Sequence, residues 1–155
     1  MQAVFTGFDS AWGAENTGAI CDLVLLEDGS LHLTSEPARA NWASALVRAR
    51  QDIHADPHVW AIDQPLLVVN LTGCRPVERD LASALMADFH CGAHSSNLGM
   101  PAWGAPPVWN LRRVLDEKGY IHDPMGIPGA TSGRFYFECY PHAASSGILR
   151  SVPEL

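Results

Sequence analysis

The chain has 155 residues, 47% of them hydrophobic and 17% charged, with a formal net charge of −7. That length and balance suit one folded domain, residues 1–155, with a real hydrophobic core, and argue against disorder. Ten Lys+Arg against 17 Asp+Glu argue against the broad basic surface with which proteins grip long nucleic acid by its phosphates.

The opening residues Met1-Gln2-Ala3-Val4 show no basic n-region and no long apolar run, so no signal peptide is read there. No stretch approaches the roughly 18 apolar residues of a membrane helix. A cytosolic location and no membrane partner are therefore expected. Cys21, Cys74, Cys91 and Cys139 form no Cys-x-x-Cys pair, which points to reduced, mostly packed thiols rather than disulfides or zinc ligands.

In chain order, residues 3–9 alternate as a strand, with Phe5, Gly7 and Asp9 on one face and Val4, Thr6 and Phe8 on the other. Gly18–Leu26 reads as a second strand. Glu27-Asp28-Gly29-Ser30 is a hairpin turn, and Leu31–Thr34 returns as a third strand. Ser35-Glu36-Pro37 predicts a helix start, and Ala38, Trp42, Ala45, Leu46, Ala49 and Ile53 would share its apolar face. Val59–Asp63 is a short buried strand. Pro76 opens a second helix on which Val77, Leu81, Leu85 and Phe89 step by four. Residues 92–107 form a long loop. Val108, Leu111 and Leu115 mark a third helix that Gly119 ends. Pro124–Gly133 is another loop, and Arg134–Tyr140 the last strand. Three hairpin-connected strands followed by helix-connected ones predict a mixed α/β sheet.

Three acids lie at or near the ends of three of these strands: Asp9, Asp63 and Glu138. A bare carboxylate beside apolar surroundings costs several kcal/mol unless solvated, paired or bound to a cation. Three neighbouring acids would repel one another unless a cation sat among them. Each also has a plainer reading. Asp9 can cap the turn at Ser10–Trp12, Asp63 can form the turn before Gln64-Pro65, and Glu138 can pair with Arg75 or Arg134.

Arg75 and Arg79, with Glu78, sit at a helix start after a Gly loop, where a phosphate could bind; the alternative is a surface ion-pair cluster. His94 and Asn97, in the long loop, are candidates to reach a substrate or simply to pack the loop. His142 follows Glu138 and is either a proton shuttle or a helix-capping or solvent-exposed side chain. Of the five tryptophans, Trp12 and Trp103 fall in loops where either could stack on a base.

Four stretches taken together, Gly7-Phe8-Asp9-Ser10-Ala11-Trp12-Gly13, Ala61-Ile62-Asp63-Gln64-Pro65-Leu66, Thr72-Gly73-Cys74-Arg75-Pro76-Val77-Glu78-Arg79 and Glu138-Cys139-Tyr140-Pro141-His142-Ala143-Ala144, resemble an uncharacterised bacterial family of predicted ribonuclease H-like nucleases. The resemblance implies a five-stranded mixed sheet whose first three strands are antiparallel. Asp9 and Asp63 would then face each other across a site that Glu138 closes. It further implies two Mg²⁺ or Mn²⁺ ions held by oxygen ligands and hydrolysis of a phosphodiester by metal-activated water. A short nucleic acid or a nucleotide would be the substrate. The ribonuclease H-like fold usually continues into a C-terminal helix carrying a further acid. The chain instead reaches Leu155 soon after Glu138, which reads as a truncated form or a lost helix.

Two other readings stand beside this one. The sugar-kinase and actin-like branch of the fold cradles ATP in glycine hairpins, but no Gly-x-x-x-x-Gly-Lys-Ser/Thr loop is present. Alternatively, the sheet is kept as a non-catalytic binding or assembly module, whose bared surface would favour a partner or a homo-oligomer.

Overall fold

The computed structural model describes residues 3–11, 15–34, 36–89, 92–103, 106–123 and 132–141. They divide into two compact units, one of Met1–Leu66 with Pro106–Glu138, the other of Leu67–Ala105 with Cys139–Leu155. The elements in chain order are β1 (Ala3–Asp9), β2 (Gly18–Leu25), β3 (Leu31–Leu33), β4 (Ala38–Ala40), α1 (Trp42–Arg50), β5 (His58–Asp63), α2 (Pro76–Phe89), α3 (Pro107–Glu117), β6 (Ile121–His122) and β7 (Arg134–Glu138).

All strands, with α1 and α3, belong to the first unit. They form a mixed sheet of order β3-β2-β1-β5-β7-β6, with β4 also paired to β2. β2 runs antiparallel to β1, β3 and β4, whereas β5 runs parallel to β1 and β7, and β6 parallel to β7. The expected mixed α/β sheet is present, but among the described residues it has seven strands rather than five.

The two additions are β4 and β6. A helix starting near Pro37 does not form. Ala38–Ala40 instead pairs the first half of β2, while β3 covers only the second half. An eight-residue strand beside a three-residue partner would leave backbone groups unpaired, and β4 meets that need. The helix begins at Trp42, five residues after Pro37, with the Asn41 side chain accepting the Ser44 N–H at 3.0 Å as its cap. It ends at Arg50, so Ile53 lies beyond it. β6 is only two residues long, too short for any periodicity to reveal. β7 stops at Glu138 rather than Tyr140.

The core lies on one face of the sheet. Thr6 and Phe8 of β1 align with Trp60 and Ile62 of β5, and Trp60 aligns with Tyr136 of β7; all are buried. Phe8 meets Trp42 of α1 edge-on, with ring centroids 5.1 Å apart. The Tyr136 hydroxyl donates to Asp116 of α3 at 2.6 Å. α3 buries Val108, Leu111, Val114 and Leu115, the spacing predicted for it, and Gly119 follows its end at φ +80°, the conformation glycine tolerates without a Cβ penalty.

The second unit contains α2, the segment leading into it, and the 92–103 loop with a short 3-10 turn at Pro101–Trp103. Trp103 is buried, which removes it as a base-stacking platform; Trp12 lies outside the described residues. Cys21, Cys74 and Cys139 are not joined in disulfides, and Cys74 is exposed rather than packed. Among the described residues no helix is long and apolar enough to cross a membrane. His142 and any helix after β7 lie outside the described residues.

Candidate metal centre at the carboxyl ends of the strands

Asp9 and Asp63 are the last residues of β1 and β5 and are register partners across that parallel pair. Neighbouring strands run about 4.8 Å apart, and partners project from the same face, so the two carboxylates leave the sheet side by side. Local chemistry fixes the end of β1. An Asp9 carboxylate oxygen accepts the Ala11 N–H at 2.8 Å, closing a turn in which Ala11 takes a positive φ of 52°. β2 presses close at the same point. A methyl group added at Gly18 would fall 1.9 Å from the Asp9 carbonyl oxygen, so only glycine fits there.

Asp63 is half-buried. Burial, then the neighbouring charges of Asp9 and Glu138, push its carboxyl up to about 6. Two buried polar atoms lie one residue past the two acids without a hydrogen-bond partner, Ser10 Oγ and Gln64 Nε2. Five other buried side-chain atoms among the described residues also lack one, among them Trp60 Nε1 in the core and Arg112 Nε, so these two support a site only together with the paired acids. Among the described residues no group of three or more His, Cys, Asp or Glu is arranged to hold a metal ion. A pair of carboxylates is nevertheless a sufficient protein contribution for Mg²⁺, which keeps several waters and is often held by one or two carboxylates.

Glu138 ends β7 and is electrostatically coupled to Asp63, but it does not share its register. It aligns with Ile62. Its Oε2 accepts the Leu66 N–H at 3.1 Å, and the Leu66 carbonyl accepts from Arg112 at 2.6 Å.

Arg75, Arg79, His94 and Asn97 belong to the second unit. Arg75 precedes α2 and is not part of a surface ion-pair cluster. It is 8% exposed, and Glu78 is 2% exposed. The Arg75 Nε donates to Glu78 at 2.7 Å and its guanidinium also reaches the Leu67 carbonyl at 3.1 Å. The other Glu78 oxygen accepts the N–H groups of Arg75 at 2.8 Å and Ser96 at 3.0 Å. Burial works against the Glu78 charge, but these donors outweigh it and hold the carboxyl below its usual range. Glu78 thus reaches back to the residue before the helix as the acid of a capping box does. It occupies the Arg75 N–H and Nε, two of the donors an outside phosphate at this helix start would use. Arg79 and His94 are exposed, and Asn97 donates to the Gly73 carbonyl at 3.0 Å.

Two features had no signal in the sequence. Arg112 looks like one more solvated helix charge, yet it holds the chain just past Asp63. His58 looks like an ordinary strand residue, yet it is completely buried. Its Nε2 lies 3.0 Å from the Thr6 hydroxyl and its Nδ1 2.6 Å from the Tyr120 hydroxyl. Thr6 donates its single proton to Asp22 at 2.5 Å, and Asp22 is paired with Arg48. Proton counting assigns the tautomer: Thr6 must accept from Nε2–H, so Nδ1 accepts from Tyr120.

The fold and its site define a mixed α/β domain with a carboxylate pair at the exit of two adjacent parallel strands. The chain belongs to the family described as "Protein of unknown function (DUF429)", whose model matches residues 7–151. No curated protein and no solved structure matches it.

Proposed function

We propose that this protein is a divalent-metal-dependent phosphodiesterase of ribonuclease H-like design, acting on a short nucleic acid or a nucleotide. Asp9 and Asp63 would hold Mg²⁺ or Mn²⁺. The observation that carries this reading is the register pairing of the two acids with the raised carboxyl of Asp63. Two adjacent carboxylates repel each other, and a cation between them relieves that repulsion. A bound ion of this kind polarises a phosphoryl oxygen and lowers the pKa of its water. Without it, Asp63 keeps its proton at mildly acidic pH, and the pair carries less than its full negative charge. The central β1, with an antiparallel neighbour on one side and a parallel one on the other, supports the ribonuclease H-like design. The net charge of −7 favours a short substrate over a long polyanion.

The test is calorimetric titration of Mg²⁺ and Mn²⁺ into the wild type, Asp9→Asn and Asp63→Asn, followed by hydrolysis of bis(p-nitrophenyl) phosphate and short oligonucleotides. Saturable binding abolished by either substitution, with metal-dependent hydrolysis, is the expected result. Absence of binding to the wild type would sink the proposal.

A binding or assembly module is the second reading. It is favoured by apolar side chains exposed in the second unit, including Leu67, Val69 and Leu71. On that reading Asp9→Asn leaves self-association, measured by sedimentation, unchanged.

A further inference from the structure

We infer that Glu138 is a positioning residue: its carboxylate and the Arg112 guanidinium hold the backbone of Leu66 from its two sides and so set the path of the chain leaving Asp63, while cation ligation falls to Asp9 and Asp63. The inference rests on the cation reading above and reassigns one of the three strand-end acids within it.

Register is the first argument. Glu138 aligns with Ile62, and side chains alternate along a strand. Its Cβ therefore leaves the sheet on the face that carries Ile62, opposite to that of Asp63 and Asp9. Ile62 is fully buried, and this is the face covered by α1 and α3. A one-residue offset between strands is enough to exchange the faces of every side chain.

Hydrogen bonding is the second. Pro65 has no N–H, so Leu66 carries the first backbone donor after Gln64. That donor goes to Glu138 Oε2 at 3.1 Å, and the carbonyl of the same residue goes to Arg112 at 2.6 Å. Leu66 is itself fully buried, so its two backbone groups need partners away from water. Both bonds are charge-assisted and so among the stronger kinds. A third bond ties the same elements together, from Tyr136 of β7 to Asp116 of α3 at 2.6 Å. The exit of β5 is thereby fixed to β7 and α3, three residues beyond Asp63. Carboxylates that orient a metal ligand in this way affect metal affinity without touching the metal.

The experiment compares Glu138→Gln, Glu138→Ala and Arg112→Ala with Asp9→Asn, using Mn²⁺ titration by calorimetry and amide hydrogen exchange at Leu66 in the metal-free protein. Glutamine keeps an oxygen that can accept the Leu66 N–H but lacks the negative charge that makes a carboxylate the stronger cation ligand. Glu138→Gln should therefore keep Leu66 protected and rescue Mn²⁺ affinity to within about threefold of wild type. Glu138→Ala and Arg112→Ala should expose Leu66 to exchange and weaken Mn²⁺ binding by roughly 10–100-fold. If Glu138→Gln loses Mn²⁺ as completely as Asp9→Asn while Leu66 stays protected, Glu138 is a ligand; the inference falls and the cation reading stands. If the wild type binds no Mn²⁺, the cation reading falls, and with it the division of ligands. Unchanged Leu66 exchange in Glu138→Ala overturns the positioning role whatever the metal data show. Should Glu138→Ala fail to fold, Arg112→Ala and Glu138→Gln still separate these outcomes.

Discussion

Two polar regions of the same sheet are built on opposite rules. Around His58 every polar atom of the chain Tyr120–His58–Thr6–Asp22–Arg48 has a partner, although His58 and Thr6 are completely buried. At the exits of β1 and β5, two acids stand side by side, and the polar groups beside them, Ser10 Oγ and Gln64 Nε2, have no partner. A satisfied buried network holds a fold in one arrangement. A pair of like charges weakens the fold and is best explained by something that binds there. The difference teaches where to look for function in this molecule: at the like-charged pair that folding alone leaves uncompensated.

The comparison breaks most readily at His58. His58→Ala removes a buried side chain, takes the acceptor from the Tyr120 hydroxyl and leaves Thr6 only its bond to Asp22, so chemical denaturation should show a loss of about 3–5 kcal/mol. A loss below about 1 kcal/mol would mean that the network does not hold the sheet.

Acid titration sharpens the contrast, because the two regions respond with opposite sign. Burial lowers the His58 pKa to about 4, with Asp22 opposing the shift and Arg48 and Arg134 adding to it. The stability from neutral His58 is thus complete above its unfolded value of about 6.5. It is lost as pH falls from there towards 4, by roughly 3 kcal/mol. Asp63 is raised instead, to about 6. Its contribution grows as pH falls from about 6 towards the unfolded value near 3.9. The wild type should therefore show a shallow stability profile between pH 6.5 and 4, and Asp63→Asn a steeper acid loss. Parallel profiles would refute the opposition.

Gly18→Ala is the next effect in size. The 1.9 Å approach to the Asp9 carbonyl oxygen forces the backbone to shift, at a cost of about 1–3 kcal/mol. Mn²⁺ affinity should fall along with stability, since the end of β1 carries Asp9. Calorimetry on the folded variant checks this.

The smallest change has the opposite sign. At pH 7–8, Asp63→Asn relieves the repulsion with Asp9 and should stabilise the metal-free protein by about 1 kcal/mol once solvent screening is allowed for. Thermal melts with and without Mn²⁺ test it: the variant should melt higher than wild type without the ion and gain nothing from adding it.

Much of the architecture was legible along the chain because alternation and helical spacing are local properties. Alternation marked β1 together with its terminal Asp9, and the Asp-Gly turn marked the hairpin of β2 and β3. Pro76 gave the start of α2, and Val108, Leu111 and Leu115 with Gly119 gave α3 and its end. The mixed sheet followed from how those elements are connected. β4 was misread as helix because Pro37 and the alanines favour one locally, whereas the bare edge of β2 required a strand. Arg75 carried the marks of a surface charge, and only the fold buried it against Glu78. The family resemblance implied that Asp9 and Asp63 face each other; tertiary structure alone decided that Glu138 is in register with Ile62 instead, and that His58 lies between Thr6 and Tyr120. A sequence states which residues end its strands, but register is set by backbone pairing between segments far apart in the chain, and a single-residue offset moves a side chain to the opposite face of the sheet.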